Sequence, residues 1–138
     1  MKKNLCNALL QKCIDYYKDV FEHGMQLDFD QYGAPPDSII IAFGASQKID
    51  EWRPIKNKEA VFRFSSSGLQ EVNIDTSPDQ TAQKMYHKEA YAELCYYEDK
   101  VAFLMIMFGK RYAQCYRYNI KDDNGKVQLE NEKLLWIS

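Results

Sequence analysis

Residues 101–108 read VAFLMIMF, eight apolar side chains in succession. A strand with one wet face alternates, so an unbroken apolar run of this length predicts a strand buried on both faces of a sheet. Working outward, Gly109 is followed by KRYAQCYRYNI (110–120), in which tyrosines recur at every second or fourth position. The tight-turn sequence Asp122-Asp123-Asn124-Gly125 and the short alternating segment KVQLE (126–130) come next. This pattern predicts a hairpin nearer the sheet edge, with Tyr112, Gln114, Tyr116, Tyr118 and Ile120 on one face and Arg111, Ala113, Cys115, Arg117 and Asn119 on the other. Leu134, Leu135, Trp136 and Ile137 are expected to tuck the tail into the core.

Upstream of the run, Ala90, Ala92, Leu94 and Tyr96 alternate, with Glu98-Asp99-Lys100 as a turn. Residues 89–97 read either as a strand or as the end of a helix, and the alternation favours the strand. The helix in question starts at Ser77-Pro78-Asp79-Gln80, where Ser77 caps, Pro78 takes the first helical position and Gln80 can close a capping box. Residues 60–64 and 69–74 flank Ser65-Ser66-Ser67-Gly68 and read as a second hairpin. Residues 38–43 (SIIIAF) read as a strand. Residues 44–58 carry no clear periodicity.

The clearest helix spans residues 3–23. Leu5, Cys6, Leu9, Leu10, Cys13, Ile14, Tyr17, Val20 and Phe21 form one wide stripe, and Lys12, Asp15, Lys18, Asp19 and Glu22 take the other side. Gly24 suits its C-terminal end. Between this helix and the first strand, Pro35-Pro36 excludes a central strand, while Leu27 and Phe29 alternating with Asp28 and Asp30 allow a short edge strand.

These elements predict one α+β domain over residues 1–138. A long N-terminal helix and a second helix pack on a mostly antiparallel, curved sheet. Its 138 residues suffice for a single core. The formal net charge of −2 argues against general nucleic-acid binding, which needs a basic surface. The four cysteines form no C-x-x-C pair, and with only His23 and His87 available no zinc-ligand spacing exists. Cys6 and Cys13 lie about two helical turns, roughly 10 Å, apart, too far for a disulfide. A reducing, cytoplasmic compartment is therefore expected. Met1-Lys2-Lys3 starts like a signal peptide, but Asn4, Asn7, Gln11 and Lys12 interrupt any apolar core, and no apolar run is long enough for a spanning helix.

Catalytic signatures are missing. There is no G-x-S-x-G, no G-x-G-x-x-G and no phosphate loop. His87 with Cys95 is the one Cys/His pair with local support, and neither register of 89–97 guarantees the hydrogen-bond reach that catalysis needs. No catalytic residue, cofactor or metal ligand is assigned. The expected activity is binding of another protein. Asp28, Asp30, Asp122 and Asp123 would steer a basic partner, and Tyr32, Tyr116 and Tyr118 would supply contact area.

With one short domain, an acidic balance, high aromatic content and no catalytic signature, the chain resembles the small bacterial immunity proteins that neutralise polymorphic or contact-dependent toxins. That resemblance implies stoichiometric binding of a cognate toxin domain without turnover. It has no diagnostic motif and carries over no site residue. Two alternatives belong to other classes. One is a small-molecule binder or enzyme in which a curved sheet forms a cone, as in NTF2-like domains. The other is a structural subunit that homodimerises through its sheet.

Overall fold

The computed structural model describes residues 2–22, 38–74, 89–107 and 113–137. They form one helix, α1 (Lys3–Glu22), and seven strands: β1 (Ser38–Ala45), β2 (Lys58–Ser65), β3 (Gly68–Val72), β4 (Glu89–Tyr97), β5 (Val101–Met107), β6 (Ala113–Asp123) and β7 (Lys126–Ile137). The strands make a single sheet in the order β3-β2-β1-β4-β5-β6-β7. Every neighbouring pair is antiparallel except β1 with β4, which run parallel with Ile41 opposite Ala92.

The expectation of two helices on a curved, cone-forming sheet is corrected. The described residues hold one helix, and the sheet is open, with β3 and β7 at opposite ends. Closing a sheet requires its edge strands to pair with each other. Here β4 inserts beside β1 instead of extending from β3, so the β2–β3 hairpin and the β4–β7 meander grow away from each other. The helix expected from Ser77 lies outside the described residues, as do Gly24 and the possible strand at residues 27–30.

The run at 101–107 is doubly buried, as its composition requires. Ala102, Leu104 and Ile106 enter the cluster beneath α1, which includes Leu5, Leu9, Cys13, Ile39, Ile41, Phe43 and Leu94. Val101, Phe103 and Met105 enter the opposite cluster with Ile40, Ala42, Val61, Tyr91, Cys95 and Cys115. The run lies one place from the middle of the sheet, and the midpoint is β4. Residues 89–97 form the strand that their alternation favoured. The β6–β7 turn places Asn124 at φ 54° and Gly125 at φ 88°, between Asp123 and its partner Lys126. Two successive positive φ angles match a two-residue hairpin turn of the type Asn-Gly prefers.

The C-terminal segment departs from its expected tuck into the core. It is the outer strand β7. Leu135 and Trp136 pack against the cluster opposite the helix, while Leu134 and Ile137 are exposed.

Residues 46–57, which show no periodicity, form a strap across the face opposite α1. Ser46 N–H donates to the Tyr96 carbonyl at 2.6 Å, and Ile55 N–H donates to Glu93 Oε1 at 3.0 Å. Farther out, Arg117 Nε donates to the Ile49 carbonyl at 3.4 Å, and the Trp52 ring meets Trp136 edge-on at 6.0 Å. The strap thus runs from β1 to the β6–β7 side and back. Glu93, a buried carboxylate on β4, also accepts the Tyr91 hydroxyl. No helix among the described residues is long and apolar enough to cross a membrane.

Candidate functional site

Residues Lys12, Asp15, Tyr16 and Asp19 follow one i, i+3, i+4 ridge of α1. That ridge forms one wall of a groove of about 380 Å³ whose floor is Leu104, Tyr116 and Tyr118, and whose far rim is Glu132 of β7. Among the described residues, three carboxylates and one ammonium line it, so this lining is acidic.

Its aromatic side chains are held in place. Tyr16 and Tyr116 meet edge-to-face, with centroids 5.6 Å apart. Both hydroxyls donate to Gln114 Oε1, the Tyr116 bond measuring 2.6 Å. Gln114 is itself buried. The Tyr118 hydroxyl donates to Glu132 Oε1 at 2.6 Å, and Lys12 Nζ lies 5.6 Å over the Tyr118 ring. Asp15 Oδ1 accepts from Gln11 Nε2 at 2.8 Å. Burial, followed by the hydrogen bond to Glu132, pushes the Tyr118 phenol well above its ordinary range. It stays a neutral donor and is no proton shuttle near pH 7.

The thiols offer no nucleophile either. All four cysteines are free and buried. Burial raises Cys6 to about 11, and Cys13 and Cys115 to about 12. Cys95 moves up as well, first by burial and then through Glu93. Thiols this protonated are poor nucleophiles and poor metal ligands. Among the described residues no three His, Cys, Asp or Glu side chains gather to hold a metal ion.

Of the residues expected to bind a partner, Tyr116, Tyr118, Asp122 and Asp123 are described. Asp28, Asp30 and Tyr32 lie outside the described residues, as does His87. Tyr118, expected to be exposed, has 2 % of its surface accessible, and Tyr116 is half-buried. Both sit on the helix side of β6, which α1 covers. Asp122 and Asp123 are exposed at the far end of the same strand. Tyr116 and Asp122 are six positions apart, about 20 Å of strand, so they do not share a patch. Asp122 Oδ1 is engaged by Gly125 N–H at 2.9 Å, and the cleft it lines also carries Lys2, Lys3 and Asp99. Charge there is balanced.

The groove instead draws its acidity from Asp15 and Asp19, on the polar side of the helix pattern, and from Glu132, which no sequence signal marks. The spacing marks Lys12, Asp15 and Asp19 as part of a polar side but does not single out Tyr16 or its meeting with Tyr116, because one hundred positions separate the two. No family model, no curated protein and no solved structure matches this chain.

Proposed function

We propose that this chain is a non-enzymatic protein-binding module that seats a basic surface of its partner in the α1–β6–β7 groove. The mode is stoichiometric, as in an immunity protein that neutralises a toxin domain. The observation that carries this reading is the groove itself: the half-buried Tyr16 and Tyr116, held edge-to-face, with Asp15, Asp19 and Glu132 on its walls. Tyrosine brings contact area at low entropic cost, and the carboxylates attract and orient cations. The protonated thiols and the raised Tyr118 supply no reactive group at neutral pH. The small-molecule alternative rested on a sheet curving round an interior pocket, and this sheet is open.

The test is capture of partners from the native organism, followed by calorimetry and stopped-flow association with the purified partner. Asp15→Asn with Asp19→Asn is expected to slow association and to flatten its salt dependence, because exposed carboxylates act mainly by steering. Capture of no protein, together with a tight small-molecule ligand, would overturn the reading.

A further inference from the structure

The two ends of the sheet are unequal. β3 is five residues long, and short edge strands resist unwanted pairing. β7 has twelve residues, and no described strand pairs with its outer side. Its first part is guarded: Glu130, Glu132 and Lys133 are charged, and Asn131 adopts φ 55° at an irregularity in the ladder. Its last part, residues 134–137, reads LLWI, with no charge, proline or glycine, and carries one irregularity, Leu135 being extra between Leu134, opposite Tyr116, and Trp136, opposite Cys115. Leu134 and Ile137 are 45 % and 58 % accessible. A row of backbone donors and acceptors flanked by exposed apolar side chains is a template for one more strand.

A cleft of about 430 Å³ opens beside this stretch, between the strap and β7. Trp52, Trp136 and Leu135 line it together with Asp50, Glu51 and Arg53. Glu51 is already engaged by Lys48 at 2.9 Å and Arg53 at 3.0 Å. Asp50 has no ion-pair partner among the described residues. One unengaged carboxylate beside two indoles suits a cationic side chain, which gains from ring faces and from the charge together.

We propose that β7 receives an extended segment of a partner protein as an eighth strand along residues 134–137, with a lysine or arginine of that segment in the Trp52–Trp136 cleft. Only a polypeptide in β conformation satisfies a row of edge amides and carbonyls. Charge selects its side chains: Asp50 lies on one side of the edge, and Glu132 with the acidic α1 groove lies on the other. A second copy of this chain fits less well. Antiparallel self-pairing along residues 134–137 would set Leu134 against Ile137 of the second copy and bring no cation from that stretch to Asp50.

This inference rests on the protein-binding reading and specifies how the partner docks. The probe is a ten-residue peptide alternating valine and lysine, added to the full chain. Its controls are the same peptide with glutamate for lysine and two versions N-methylated on alternate residues. Binding is read by calorimetry and by tryptophan emission, since the chain's two tryptophans flank the cleft. The lysine peptide is expected to bind at least about tenfold more tightly than the glutamate peptide. One N-methylated version should lose about tenfold or more while the other binds as before, because only alternate amides of an added strand face β7. Asp50→Asn, an exposed change, should weaken the lysine peptide by about threefold or more.

Equal binding of the two N-methylated peptides, or no binding at about 1 mM, overturns edge addition. A concentration-dependent dimer that the peptide dissociates assigns the edge to a second copy and overturns it too. The two readings fail separately. A captured partner that the peptide does not displace sinks the edge and leaves the groove. Peptide binding without any captured partner does the reverse.

Discussion

Ile106 has no accessible surface and lies beneath α1, opposite Ala92 on β4 and Gln114 on β6. Truncating a buried isoleucine to alanine costs about 2–5 kcal/mol, through lost transfer energy and the cavity left behind. A domain of this size has about 5–15 kcal/mol in total. Ile106→Ala is therefore expected to fold with a clearly lower urea midpoint. Ile106→Asp is expected not to fold, because its charge would be buried with no partner. Soluble, cooperatively unfolding Ile106→Asp protein would show that the face beneath α1 is misassigned. The double burial of this run could be read from its residues alone. The burial of Tyr118 could not, since an alternating Tyr series looks the same whether a helix or water covers it.

Among the elements, the strap at residues 46–57 depends on one close approach. A Cβ added at Gly44 would lie 2.7 Å from Ile55 Cγ2 and 2.8 Å from the Asn57 carbonyl oxygen. A backbone oxygen at that distance has to move, and so the return limb of the strap moves with it. Gly44→Ala is expected to cost about 1–3 kcal/mol, as overpacking does. It should also separate Trp52 from Trp136. Both tryptophans of the chain meet there, so a red-shifted emission with unchanged far-ultraviolet dichroism reads the strap specifically. Unchanged emission would mean that the strap does not depend on this contact. Its order was not legible because its partners Glu93, Arg117 and Trp136 lie far along the chain. The Asn124-Gly125 turn was legible because its geometry is decided within four residues.

For the whole molecule, burying four thiols and the half-buried Tyr96 ties stability to alkaline pH. Cys13 rises from 9.0 to about 12 through burial, and Tyr96 from 10.0 to about 12 through burial and its hydrogen bond to Glu59. Below pH 9 these groups hold their protons in both states, and their contribution is fully present. Above pH 9 the unfolded thiols ionise while the native ones do not, so the unfolded state gains and stability falls as pH rises toward 12. The melting temperature is expected to decline across that window. The decline should be shallower in Cys13→Ala, measured by dichroism against the parent chain. A melting temperature flat from pH 9 to 12 would show that the thiols are not shielded.

The features legible along the chain are those whose causes are local. The stripe on α1, the double burial at residues 101–107, the alternation of β4 and β6 and the tight turns all follow from neighbours a few residues apart. Tertiary structure alone decided the order β3-β2-β1-β4-β5-β6-β7, the parallel pairing of β1 with β4 and the open edges. It also decided which Tyr face α1 covers and that Asp15, Asp19 and Glu132 line one groove. The physical reason is that periodicity states which face of an element is apolar but not what meets it. Strand order and groove walls arise from contacts between distant segments, chosen by packing volume and loop closure across the whole chain.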